Sequence, residues 1–156
     1  CLLYSRLLTQ WSDRRPAIQP MLDPMPVELT NQQLESLPQA KETLEGYGFT
    51  LDEFGEGAWV VRTVPAVAQR VDVLNLLSEA LDLFGDQGRD TPTHMAVAAS
   101  IACHSAVRAG QTLTGGEMKA LVEAMASEAV PQHCPHGRPT VVRISTQAIA
   151  KQFGRS

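Results

Sequence analysis

Three closely spaced prolines, Pro20, Pro24 and Pro26, constrain the segment from Ala17 to Thr30 more than any other feature constrains a part of this chain. Proline fixes its own φ angle and has no backbone N–H, so it removes a donor from the hydrogen-bond ladder of a sheet. We therefore expect an extended run here that is not a central strand.

The residues on either side of this run alternate between helical and strand patterns. A first helix, with Leu3, Leu7, Leu8 and Trp11 on one face, should end near Asp13. The next elements are a helix capped by Asn31 that runs to about Glu45 with a kink or break at Pro38, and a hairpin of strands Phe49 to Phe54 and Ala58 to Val64.

The second half of the chain is predicted to be mainly helical. Thr114 and Glu117 form a capping-box pattern, which opens a helix to about Ser127. The other predicted elements are an amphipathic helix from Val71 to Phe84, a turn from Gly85 to Asp90, a helix from Thr93 to Ala109 begun by Thr91-Pro92, a strand from Thr140 to Ile144, and a helix capped by Ser145 that ends at Phe153.

The composition narrows the classes of protein. Hydrophobic residues make up 44% of the 156 residues, enough for a real core. No stretch approaches the roughly 18 apolar residues that a membrane span needs, so we expect a soluble, intracellular protein. A net charge of −4 argues against a strong grip on DNA by this piece alone.

The most informative short stretch is His133-Cys134-Pro135-His136-Gly137-Arg138-Pro139, on a predicted loop. A thiolate and an imidazole separated by one residue can bind one ion, and the prolines lower the entropy lost on binding. The alternative is an ordinary polar turn. Three cysteines without a secretory signal favour metal or thiol chemistry over disulfides.

Cys103 lies 31 residues before Cys134, in a predicted helix whose alanines allow close packing against another element. Spacing alone favours a small buried core residue at this position. His94 and His104 have no partner pattern and are interpreted as surface or cap histidines. Because nucleotide-binding glycine motifs and a nucleophile elbow are both missing from the sequence, a metal site is the only chemistry that these residues indicate.

Three ordered stretches resemble motifs of the C-terminal domains of the bacterial MutL family. They are Ala102-Cys103-His104-Ser105-Ala106-Val107-Arg108-Ala109-Gly110, then Cys134-Pro135-His136-Gly137-Arg138-Pro139-Thr140, then Phe153-Gly154-Arg155. The resemblance extends over essentially the whole chain. It implies a domain of a DNA mismatch-repair protein, in the subgroup whose C-terminal domain nicks DNA with bound metal ions.

The resemblance also implies a ligand set for zinc, manganese or both, made of Cys103, Cys134 and His136 as metal-binding and catalytic residues. The family's remaining ligands come from an upstream Asp-Gln-His-Ala-x-x-Glu segment that this sequence does not contain, so we expect this fragment alone to be inactive. Ser5 stands where the family often has a second Glu. This departure removes a supporting carboxylate.

A second implied site is the segment from Gln19 to Pro24, which resembles the clamp-binding motif of the family through Gln19, Met21, Leu22 and Pro24. An extended peptide of this kind can place two apolar side chains in a pocket of the sliding clamp, with the glutamine at its rim. The alternative is an edge segment whose Met21 and Leu22 fold back into the core.

The family fold is α/β (α+β) in two lobes. It implies a dimerisation and endonuclease lobe from residues 1–16 and 85–156, and an inserted regulatory lobe from residues 17–84. The implied partners are a second copy of the chain, the sliding clamp, MutS and, weakly, DNA, in the cytoplasm at the nucleoid. ATP would bind an N-terminal domain and not this fragment. The alternative function is a dimerisation module with a structural zinc site and no nuclease activity.

Overall fold

The structure is a computed structural model that describes residues 2–55, 57–85, 93–107, 110–128, 130–135 and 137–154. Within these ranges, six α-helices and three β-strands form an α+β fold, as predicted. The elements are α1 Leu2–Ser12, β1 Ile18–Val27, α2 Asn31–Gly46, β2 Thr50–Glu53, β3 Trp59–Pro65, α3 Val73–Gly85, α4 Thr93–Ser105, α5 Gly115–Ser127 and α6 Thr146–Gln152.

The proline-rich run is β1, an edge strand of a three-stranded antiparallel sheet with the order β1-β3-β2. Its place at the edge confirms the expectation that the prolines exclude a central strand. The register of β1 against β3 jumps from Pro20↔Thr63 to Met25↔Val61, so the four residues from Met21 to Pro24 face a single intervening residue of β3. This bulge takes the middle of β1 out of the regular ladder. The predicted hairpin is present as the antiparallel pair of β2 and β3.

Helix α2 begins one residue earlier than predicted, because Thr30 and not Asn31 is its N-cap. The Thr30 hydroxyl accepts a hydrogen bond from the Gln33 N–H, and the Gln33 side chain accepts one from the Thr30 N–H. The predicted break at Pro38 is wrong, since the helix is continuous through it. Pro38 is exposed, so the helix carbonyl that loses its donor there can be solvated.

The hydrophobic core lies where α1, α2, α3, α4 and the sheet meet. Helix α3 contributes a fully buried stripe of Leu76, Leu77, Ala80 and Leu81. Trp11 of α1 closes one side, with its ring stacked on Tyr47 and on His94 at centroid distances of 5.1 and 5.3 Å. The remaining core residues include Leu7, Leu44, Phe49, Val61, Val64, Val97 and Ile101.

The last part of the chain differs in two ways from the sequence expectation. Helix α4 ends at Ser105 rather than Ala109, and residues 140–144 form no strand. A strand needs a partner, and the described loop offers only the isolated bridge between His133 and Pro139. The predicted capping box of α5 is present between Thr114 and Glu117, and Ser145 caps α6 as expected.

The predicted turn from Gly85 to Asp90 and the Thr91-Pro92 helix start fall mostly outside the described residues. The division into two lobes at residues 17 and 85 stays a prediction. Among the described residues, no helix has the length and apolar character required to cross a membrane.

Candidate metal centre

Cys103 lies on α4, one residue after the helix's buried stripe. The stripe consists of Val97, Ala98, Ile101 and Ala102, which follow the spacing of a single helix face. Each residue advances the helix by about 100°, so the next position turns away from the core. Cys103 is accordingly exposed, and the alternative of a buried core cysteine is wrong.

Cys134 begins a tight turn that the backbone holds closed. Its carbonyl accepts a hydrogen bond from the Gly137 N–H (2.9 Å), and its N–H donates to the Arg138 carbonyl (2.8 Å). The Arg138 N–H in turn points at the Cys134 Sγ at 3.4 Å. Gly137 has a φ of 77°, a conformation that favours glycine. Arg138 takes part in this turn through its backbone N–H and carbonyl, whereas its side chain is exposed.

Cys103 and the Cys134 turn meet at one cleft of about 760 Å³. Pro135 of the turn lines it together with one side of α4, which contributes Met95, Ala96, Ala99, Ser100, Cys103 and His104. Ala96, Ala99 and Ser100 have small side chains that occupy little of the cleft. Tyr4 of α1 and Glu79, Asp82 and Leu83 of α3 also line the cleft. Partial burial raises the pKa of Tyr4.

The described part of this cleft does not itself complete a metal site. Among the described residues, no group of three or more His, Cys, Asp or Glu side chains is close enough to hold an ion. His136, the third predicted ligand, lies outside the described residues, as does Arg155 of the Phe-x-Arg stretch. The structure therefore brings the helix of Cys103 and the turn of Cys134 to one cleft, and the predicted ligand set remains a prediction.

Both histidines that the sequence assigned to the surface have partners in the fold. The Nε2 of His104 lies 2.8 Å from the Oε2 of Glu79, and His94 stacks on Trp11. Glu79 precedes His104 by 25 residues, on another helix, and no local spacing joins the two. Only the packing of α3 against α4 could have revealed this pair.

Ser5 lines a different cleft from Cys103, together with Arg6, Thr9 and Glu128. The guanidinium of Arg6 forms a two-pronged ion pair with the Glu128 carboxylate just after α5. This pair lowers the pKa of Glu128, mainly through its hydrogen bond. It also ties the first helix to the segment that leads into the Cys134 turn.

The segment from Gln19 to Pro24 is extended and largely exposed. Leu22 is 103% exposed, whereas Met21 packs partly against the core. The Gln19 side chain accepts a hydrogen bond from Gln69 at 3.0 Å. Only one of the two apolar side chains of the clamp-like motif therefore folds back onto the protein.

The fold and the cleft define an α+β domain that presents a helix cysteine opposite a rigid Cys-Pro turn. Residues 1–113 match the family described as the MutL C terminal dimerisation domain, and the chain belongs to this family. The chain is also similar to individual proteins named DNA mismatch repair protein MutL. The relative from Acidiphilium cryptum is 39% identical over 145 residues, or 88% of this chain.

The relatives from Desulforudis audaxviator and Rhodopseudomonas palustris are 37% and 35% identical over 97% and 99% of this chain. In each of the three comparisons the matched region is only 24% to 26% of the relative's own length. The chain thus spans about a quarter of the curated relatives that it matches.

Proposed function

We propose that this chain forms a homodimer and contributes a metal-dependent nicking centre that acts on duplex DNA during mismatch repair. The observation that carries the proposal is the shared cleft, to which α4 contributes Cys103 and the turn after Cys134 contributes Pro135. Cys103, Cys134 and His136 are the proposed metal ligands and catalytic residues. Zinc, manganese or both are the proposed ions.

The chemistry of this donor set suits such an ion. Two thiolates and an imidazole are ligands that zinc prefers, while a hard ion such as manganese suits phosphate chemistry. The N–H of Arg138 points at the Cys134 sulfur, and a donor in that position stabilises negative charge on it. The closed turn from Cys134 to Gly137 also lowers the entropy lost when the sulfur is fixed.

In the proposed centre, the cysteines hold the ion and the small residues beside them leave space for DNA. Helix α4 presents Cys103 in the wall of the cleft, and the turn that begins at Cys134 reaches the same cleft through Pro135. The small side chains of Ala96 and Ala99 leave space for a phosphate backbone to approach. A bound divalent ion would supply Lewis-acid polarisation of the phosphate and a more acidic water.

Metal binding is tested by titrating the chain with Co²⁺, whose bonds to thiolates give an intense near-ultraviolet absorption. Cys103→Ser and Cys134→Ser should each weaken or abolish this band, whereas Cys1→Ser changes a cysteine outside the proposed ligand set and serves as the control. Nicking of supercoiled plasmid is then measured for the full-length protein with and without His136→Ala. A band that survives both ligand substitutions would contradict the proposed site.

The proposed dimer surface lies on the last two helices and on residues 141–144 of the chain between them. No residue of α5 or α6 is buried, and neither helix packs extensively on another described element. Their exposed apolar residues, with those of the connecting chain, are Met118, Leu121, Val122, Val141, Val142, Ile144, Ile149 and Phe153. Such a concentration of exposed apolar side chains favours association.

The dimer is tested by the solution mass of Val122→Glu with Val142→Glu, residues that are 66% and 73% exposed. Light scattering should give a dimer for the wild type and a monomer for this variant, because a buried unpaired carboxylate is costly. Leu22→Glu introduces the same charge at the sheet edge and should remain a dimer. If the variant with both substitutions remained a dimer, the interface would lie elsewhere and the proposed surface would be wrong.

The bulge of β1 is proposed to bind the sliding clamp through Leu22, with Met21, Gln19 and Pro24 in support. Leu22 is the large apolar side chain of the motif that is fully exposed, so it is the natural anchor for an apolar pocket. Leu22→Glu should abolish clamp binding measured by surface plasmon resonance, while the Val122→Glu, Val142→Glu variant should bind per chain as before. Equal binding by Leu22→Glu and wild type would contradict this assignment.

The second candidate function is a dimerisation module whose zinc is structural, favoured by the dimerisation description of the family and the net charge of −4. The two functions predict different results when the nicking assay is run with the wild type and with His136→Ala. Loss of nicking with an unchanged dimer supports the enzyme, and plasmid that stays intact with the wild type supports the module. Contacts with MutS, DNA and the cytoplasmic nucleoid are proposed on the same family relationship.

A further inference from the structure

Glu79 and His104 form a hydrogen-bonded bridge between α3 and α4 at the edge of the candidate metal centre. The His104 Nε2 lies 2.8 Å from the Glu79 Oε2, and since a carboxylate only accepts, the imidazole is the donor. The other oxygen of Glu79 accepts from the Asn75 Nδ2 at 3.1 Å. Both oxygens of the carboxylate are therefore held in place by donors.

The two ends of the bridge differ in rigidity. Glu79 projects from α3 between Leu77 and Ala80, which are fully buried, so its backbone is firmly fixed. His104 is in the last turn of α4, which ends at Ser105. The carbonyls of a last helical turn have no partners within the helix, and such turns fray readily.

Cys103 belongs to the same last turn and immediately precedes His104. Glu79, Cys103 and His104 all line the cleft of about 760 Å³. The imidazole is only 21% exposed, so it fills the space between the helices instead of extending into water. The bridge therefore fastens the cysteine-bearing turn to a rigid helix within the wall of the cleft.

We propose that Glu79 is a positioning residue that holds His104, and through it the turn of α4 that carries Cys103, in the geometry that metal binding requires. The inference rests on the proposed function, because it assigns Cys103 to a metal. Partners outside the direct ligand set typically change metal affinity by about 10-fold to 100-fold. Because the Glu79 side chain is 48% exposed, the effect of this bridge should lie near the lower of these values.

The test compares Co²⁺ affinity and amide hydrogen exchange in the full chain for four single variants and one double variant. Glu79→Ala removes the acceptor, Glu79→Gln keeps an acceptor, and His104→Ala removes the donor. Glu123→Ala is the matched control, because Glu123 is an exposed helix residue whose ion-pair partner within the described ranges is Lys119, one turn away. We expect Glu79→Ala to bind Co²⁺ about 10-fold more weakly and to exchange the amides of the last turn of α4 faster, without a comparable change in α5.

The variants separate positioning from a general loss of structure. Glu79→Gln should recover most of the affinity, and the double variant of Glu79→Ala with His104→Ala should bind no more weakly than the weaker single variant. A Glu79→Ala protein with wild-type Co²⁺ affinity would overturn the inference while leaving the metal site standing. A wild type without a thiolate band would instead overturn the metal site. If, in that case, Glu79→Ala also left hydrogen exchange in the last turn of α4 unchanged, the positioning role would be overturned as well.

Discussion

The contact between Gly46 and Trp11 gives the sharpest prediction about how α1 is seated. A Cβ added at Gly46 would lie 2.3 Å from Cζ3 and 2.5 Å from Cε3 of the Trp11 ring. Carbon atoms rest at about 3.5–4.0 Å, so the ring would have to retreat by more than about 1 Å. Its stacking on Tyr47 and His94 opposes that movement.

Overpacking of this kind lowers the free energy of unfolding by about 1–3 kcal/mol. Alanine has a higher helix propensity than glycine, which offsets less than about 1 kcal/mol of this loss at the end of α2. Gly46→Ala should therefore lose about 1–2 kcal/mol, or about 2–8 °C in Tm for a chain of this size. Gly115→Ala is the matched control, because a Cβ there meets nothing within 4 Å.

Thermal unfolding followed by circular dichroism measures both glycine variants, in the wild-type and the Trp11→Phe backgrounds. The smaller ring should relieve the clash, so that Gly46→Ala costs less beside Trp11→Phe than alone. If Gly46→Ala and Gly115→Ala shift Tm equally in both backgrounds, Trp11 does not pack on α2, and the seating of α1 described above is wrong.

Three further predictions concern buried and paired polar groups. Arg6→Gln should lose stability relative to the wild type at neutral pH. The difference should shrink in urea unfolding as the pH falls below about 4.5, because the Arg6 hydrogen bond lowers the pKa of Glu128 from its ordinary 4.5 and that stabilisation is lost on protonation. Gln33→Ala should cost about 1–3 kcal/mol in urea unfolding, since the Gln33 Nε2 donates to Ser78 and Asp82 from a site only 4% exposed. Tyr47→Phe should instead raise stability by about 1 kcal/mol in the same assay, because the buried Tyr47 hydroxyl has no hydrogen-bond partner among the described residues; a loss of stability would show that it has one.

Local chemistry was enough to predict the elements whose ends are fixed by nearby residues. The capping box at Thr114 and Glu117 lies within four consecutive residues, and it appears in the structure with both of its hydrogen bonds. The edge position of β1 follows equally directly from the missing donors of its prolines. Each of these features depends on interactions close in sequence, which a single sequence displays.

The failures occur where the outcome depends on distant partners. Residues 140–144 have the β-branched composition of a strand, but no described strand lies beside them, and Val141, Val142 and Ile144 stay exposed. Pro38 would break an isolated helix, yet Leu37 and Ala40 on either side of it are buried and hold α2 to the core. Tertiary packing overrides the local preference in both cases.

The candidate centre depends both on local sequence and on packing between distant residues, as the orientation of α4 shows. A helix that buries Ala98, Ile101 and Ala102 on one side must present positions 96, 99, 100 and 103 together on another. The small side chains on that second face, which the sequence pattern indicates are suited to close packing, instead line a cleft. The sequence could show that Cys103 follows this spacing, but not which face would meet the core. Once the packing on α1 and α3 fixes that choice, Cys103 is directed to the cleft that the Cys134 turn also reaches, and a cysteine that looks like a core residue by composition becomes a candidate ligand by geometry.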